Sequence, residues 1–85
     1  MLDFESLAID QCVVLWMIGV GEVDRGRITA INSHEHTMVF TADAGRVTQF
    51  RLSTPSFWLM LFEDPMTGSR CYNERGPFYV FRTPN

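Results

Sequence analysis

Short apolar and β-branched runs, separated by turn-forming residues roughly every eight to twelve positions, limit the folds open to this chain more than anything else in it. Val, Ile, Thr, Phe and Trp favour extended backbone because their side chains pack well on a pleated surface. Cys12–Val20 is the first such run, bounded by Gly19 and Gly21, and reads as a strand. A helix from Asp3 to Ile18 is the competing reading, and Asp3 is also placed to cap a single turn ending near Ala8. Arg27–Asn32 reads as a strand after a turn at Val23–Gly26, and Thr37–Ala42 as the next, after the polar loop Ser33–His36. Asp43-Ala44-Gly45 has the composition of a tight hairpin, with Gly45 able to take positive φ, and Arg46–Leu52 is the return strand. Phe57–Phe62 is apolar throughout. Its length suits a buried strand, while Thr54-Pro55 ahead of it suits the start of a short helix. Arg70–Tyr72 and Phe78–Arg82 read as a final hairpin about Asn73–Gly76.

These elements make a single domain over residues 1–85, mainly β. The expected form is a small barrel or strongly bent antiparallel sheet of five or six strands, with at most one or two short helical turns. Over Val13 to Leu52, the strand rhythm and the Asp43-Ala44-Gly45 turn resemble the small SH3-like or Sm-like barrel class, a likeness of fold that brings no functional residues with it. Eighty-five residues allow one core, and the 46% hydrophobic content with eleven aromatic side chains argues for a packed one. A domain of this size buries only about 60% of the surface its unfolded chain exposes, so its stability margin is thin.

Charge narrows the function further. The net charge is −3, and all seven basic residues are Arg. Without Lys there is no Schiff-base, P-loop or general-base lysine. Residues 1–24 carry Asp3, Glu5, Asp10, Glu22 and Asp24 with no basic residue, whereas the remainder is mildly basic. The N-terminus lacks the positive region of an export signal and the longest apolar run is far too short to span a bilayer, so a cytoplasmic location is expected, with no membrane partner. Cys12 and Cys71 then read as buried thiols acting as small hydrophobes.

Little in the chain points to catalysis. His34-Glu35-His36 is the one cluster of titratable side chains. Two His without a third ligand make a poor metal site, so a solvated turn is the plainer reading. None of the five serines lies in a Gly-x-Ser-x-Gly elbow, and neither Cys has an activating base nearby in sequence. Glu63-Asp64 ahead of Pro65 reads as a turn, and Gly19-Val20-Gly21 is not followed by a phosphate-binding pattern. A non-enzymatic protein without cofactor or metal is expected.

Three segments are apolar on both faces if they are strands: Val13–Ile18, Phe57–Phe62 and Phe78–Phe81. So small a domain has no second layer to cover them all, and aromatic residues, Met and Arg without Lys are what interface centres favour. The expected function is therefore stoichiometric protein binding by an inhibitor or accessory subunit. Phage-encoded antagonists of host defence complexes, anti-CRISPR proteins among them, are of this size and charge. Asp3, Glu5, Asp10, Glu22 and Asp24 would face a basic, nucleic-acid-binding patch on the target, with Trp58, Tyr79, Arg51 and Arg70 as anchors. A homodimer would cover the same surface. The alternatives are an oligomeric structural or assembly subunit, and a single-stranded nucleic-acid-binding barrel. The latter would stack bases on Tyr72, Tyr79, Phe81 and Trp58 and hold phosphates with Arg46, Arg51, Arg70 and Arg82.

Overall fold

In the computed structural model, which describes residues 2–54, 57–73 and 75–84, the first apolar run is extended and not helical. A helix from Asp3 to Ile18 would have to pass through Asp10, whose φ of 69° is left-handed. Only a 3-10 turn forms there, at Phe4–Ser6, closed by Ser6 N–H donating to Asp3 O. Seven strands follow: β1 (Cys12–Met17), β2 (Gly21–Asn32), β3 (Thr37–Ala42), β4 (Val47–Thr54), β5 (Phe57–Glu63), β6 (Arg70–Tyr72) and β7 (Phe78–Arg82). Pro55, offered by the sequence as a helix start, Ser56 after it, and Glu74 of the Asn73–Gly76 turn lie outside the described residues.

All pairings are antiparallel. The strand order β4-β3-β2-β1-β7-β5-β6, with β4 also paired to β5, closes six strands into a barrel and leaves β6 as an addition on β5. The expectation of a mainly β barrel holds. Phe57–Glu63 is a strand, because it must serve both neighbours: Leu52 pairs with Trp58 on one side and Tyr79 with Trp58 on the other.

Two connections differ from the sequence reading. Val23–Gly26 is not a turn but the middle of twelve-residue β2; the chain reverses at Ile18–Val20, where Gly19 takes φ 86° and Val20 N–H donates to Met17 O. Gly26 is a glycine for closeness, not for turning. A Cβ there would lie 2.7 Å from Ala42 Cα and nearer still to the Thr41 carbonyl oxygen, so β2 and β3 can close the barrel only without one. Arg70–Tyr72 and Phe78–Arg82 are both strands but do not pair with each other. β5 takes both, β6 along Leu61–Glu63 and β7 at Trp58 and Leu59.

Strand alternation sorts the side chains. Val13, Leu15, Ile28, Met38, Phe40, Phe50, Trp58, Tyr79 and Phe81 fill the interior. Phe81 is its centre, with ring centroids 5.5–5.7 Å from those of Phe40, Phe50 and Trp58. The N-terminal segment plugs one end: Leu7 is buried in the core, Phe4 lies 5.7 Å from Trp58, and Leu2 N–H donates to Phe81 O. The expected burial of the thiols does not hold. Cys12 and Cys71 are exposed and unbonded, because Val13 takes the inward position beside Cys12 and Cys71 sits on the strand added outside the barrel. No helix among the described residues is long and apolar enough to cross a membrane.

Candidate functional site

Three features of the surface stand apart from ordinary solvated strands. The first is the outer face of β1, β7 and β5. These are the three segments whose sequence is apolar on both faces, and the topology places them side by side. Their outward positions include Val14, Leu59 and Val80, which are buried although they are not part of the interior cluster; Val80 is 1% exposed. Around them lie larger side chains that water still reaches. Trp16 pairs with Val80 across β1 and β7, and the Arg82 guanidinium carbon sits 3.9 Å from the Trp16 ring centroid, a close cation–π stack. Phe57 packs edge-on to Phe78 at 6.3 Å, and Ile18 N–H donates to Phe78 O. Ile18 is 48% exposed and Phe57 36%. The result is a second, partly covered apolar layer on the outside of the barrel.

Cations border this layer. Arg25 and Arg82 are the two partners of Val14 across the sheet, and Arg27 is opposite Cys12. Arg25 also holds Glu22 in a bidentate pair at 2.8 and 3.1 Å, which lowers the Glu22 carboxyl pKa through that hydrogen bond and raises that of the guanidinium.

The second feature is the barrel mouth opposite the plugged end. All six barrel strands or their turns line a cavity of about 120 Å³, whose walls include Leu15, Phe40, Ala42, Met60 and Tyr79, with Asp24 and Arg46 also lining it. The third is a groove of about 450 Å³ between the β2–β3 turn and β4, lined by His34, Glu35, His36, Thr37, Arg51 and Tyr72. It continues past Arg51 and Tyr72 into a neighbouring hollow of about 340 Å³ that reaches Leu59.

No protein-family model, curated protein or solved structure matches this chain.

The expected site residues divide unevenly among these features. Trp58 and Tyr79 are not surface anchors: they are 0% and 5% exposed, because the phase of β5 and β7 turns both inward. Burial raises the Tyr79 phenol pKa, with Arg46 opposing. The Trp58 indole N–H has no hydrogen-bond partner among the described residues. The five acids do not gather on one face. Asp3 and Glu5 belong to the plug, and Asp10 N–H donates to Ile28 O near that end. Asp24 lines the opposite mouth, and Glu22 is paired with Arg25. Arg51 and Arg70, by contrast, come together around Tyr72. The Arg51 guanidinium carbon is 5.4 Å from the ring centroid, and both arginines lower a phenol pKa that burial raises more strongly.

Trp16, Ile18, Phe57 and Phe78 are the residues of the outer face that sequence reasoning did not single out, and Arg82 entered it only as a phosphate partner of the nucleic-acid alternative. The doubly apolar segments were the signal. Which of two large neighbours points outward depends on the phase of the strand, and a run with large side chains in both phases does not display it.

Proposed function

We propose that this protein is a stoichiometric protein-binding module, an inhibitor or accessory subunit, that docks through the outer face of β1, β7 and β5. The observation that carries this reading is the adjacency of three strands apolar on both sides, with Trp16, Ile18, Phe57 and Phe78 still accessible after the core is filled. Interfaces draw most of their energy from a few aromatic and Arg side chains at a dry centre, and Trp16 stacked under Arg82 is such a pair. The bordering charges favour a target of one character. Arg25, Arg27 and Arg82 outnumber Glu22 on this face, so the complementary surface is apolar at its centre and acidic at its edge. This reverses the charge of the target expected from the acidic N-terminal segment.

Affinity capture with the tagged protein tests it. The wild type is expected to retain one defined protein, and Ile18→Ser/Phe57→Ser to lose it while melting at nearly the same temperature, since both side chains are exposed. Reversing Asp3, Glu5 and Asp10 to Lys is expected to leave capture intact. Retention by the Ser variant, or loss on the Lys reversal, would remove the outer face as the docking surface. Light scattering on the purified chain tells whether the partner is a second copy, by a species of twice 9.8 kDa.

A further inference from the structure

We propose that the groove between the β2–β3 turn, β4 and β6 binds one phosphorylated aromatic unit, a single nucleotide, either free or at the end of a single strand. Four residues distinct in the sequence for their chemistry, His34, His36, Arg51 and Tyr72, come from three separate segments and line this one hollow, which docking through the outer face does not use. Arg70 stands on the same strand as Tyr72 and is close enough to influence its phenol. The two adjoining hollows, of about 450 and 340 Å³, share Arg51 and Tyr72 and are open to solvent, so they have room for a small molecule without enclosing it.

The lining divides by chemistry. Tyr72 is half-buried with Arg51 over its ring, and a base stacks on such an aromatic–guanidinium pair. Leu59, itself buried, contributes apolar surface, and Ser53 and Thr37 bring hydroxyls that hydrogen-bond a sugar or phosphate. Arg51 supplies fixed positive charge and the planar donor fork that suits phosphate oxygens, and Arg70, outside the lining and opposite Glu63, adds positive charge near Tyr72. Glu35 is the carboxylate in the lining; it faces the hollow from the turn, where the Asn32 side chain accepts its backbone N–H at 3.1 Å.

The size of the ligand follows from what the barrel buries. Proteins that follow a single strand stack successive bases on several aromatic side chains. Here Trp58, Tyr79 and Phe81 are all in the core, which leaves Tyr72 alone of the four candidate platforms. One platform takes one base. A long polyanion would also meet the remainder of a chain whose net charge is −3, whereas a single phosphate meets the local arginines. The groove borders the docking face at Leu59 alone among its lining residues, so the two sites can be tested apart.

Titration of the isotope-labelled full chain with adenosine monophosphate, followed by amide resonances, is the test. Signals of residues 34–37, 51–53 and 70–72 are expected to move, with adenosine alone and inorganic phosphate alone each at least about tenfold weaker. Arg51→Gln and Tyr72→Leu are each expected to weaken binding by about tenfold, while Tyr72→Phe keeps it, because stacking needs the ring and not the hydroxyl. A short 5′-phosphorylated single strand separates the two sources. Tighter binding than the mononucleotide, lost on removing that phosphate, assigns the site to a strand end; equal or weaker binding assigns it to the free nucleotide. Absence of shifts at millimolar mononucleotide, shifts confined to other residues, or equal binding of adenosine would overturn the proposal.

Discussion

Gly26→Ala puts the closure of the barrel to a test in which the sign of the effect decides. The Gly26 φ lies outside the left-handed region, so alanine is conformationally permitted there. In open space such a replacement stabilises by about 0.4–1 kcal/mol, by narrowing the unfolded ensemble. At this position the new Cβ would stand 2.7 Å from Ala42 Cα, about 0.7 Å inside ordinary contact, and would overlap the Thr41 carbonyl oxygen more severely. Both obstacles are backbone atoms of the strand paired with Gly26, so no side chain can rotate away. β2 and β3 must separate where Gly26 faces Ala42, stretching the 2.9 Å bond from Asp43 N–H to Arg25 O. Overpacking of this kind costs about 1–3 kcal/mol and a weakened backbone bond about 1 more. A loss of about 2–4 kcal/mol lowers the melting temperature of a domain this size by roughly 10–30 °C. Thermal and urea unfolding of the variant measure it, with Gly45→Ala, which meets only open space but holds φ at 98°, as the strain-only control. An unchanged or raised midpoint for Gly26→Ala would refute the close approach of β2 and β3 and with it this geometry of closure.

Three further outcomes follow from the interior. Phe81→Ala removes the ring shared by Phe40, Phe50 and Trp58 and is expected to cost about 3–5 kcal/mol, a large share of the roughly 4–13 kcal/mol such a domain has, whereas Phe81→Leu costs less than half as much. Equal losses in urea unfolding would deny Phe81 its central place. Ala42→Val adds two methyl groups at the wall of the 120 Å³ mouth and is expected to stabilise by about 1 kcal/mol; a loss instead would mean that the space is not there to fill. The Tyr72 and Tyr79 phenols are raised by burial from an ordinary value near 10, so the folded form holds those protons longer than the unfolded chain does. Their contribution to stability is full below that pH and falls as the pH rises through the raised values. The denaturation midpoint is expected to drop on the alkaline side, and less steeply in Tyr79→Phe, whereas identical profiles for the two would contradict it.

Much of the fold was legible in the chain because turn chemistry and strand rhythm are local. Thr37–Ala42 and the Asp43-Ala44-Gly45 hairpin have the bounds and the glycine conformation that composition suggests. What is set by distant neighbours was not legible. Gly26 reads as a turn residue until Thr41 and Ala42 are beside it, and Phe78–Arg82 reads as half of a hairpin until β5 pairs with it first. The same limit applied to the site. Arg51 and Arg70 are nineteen residues apart in sequence and both come near Tyr72 only because β6 folds back on β5. Trp16 and Trp58 both sit in apolar runs with large neighbours, and the pairing partners alone decide that one faces out and the other in.

Closure has a consequence for how such a protein can bind. An open sheet offers unpaired backbone groups at its edges, and partners commonly attach by adding a strand there. Here β4 pairs with β5 and β7 with β1, so the ring of six strands has no such edge, and β6 offers only the three residues Arg70–Tyr72. Under the proposed function, recognition is therefore left to side chains projecting from the strand faces. Side-chain docking on a convex barrel concentrates the binding energy in few residues, because curvature keeps a flat partner from touching many strands at once. In the proposed docking through β1, β7 and β5 those few would be Trp16 with its stacked Arg82 and the Phe57–Phe78 pair, which is why small changes to that face, and not to the acidic N-terminal segment, decide between the readings.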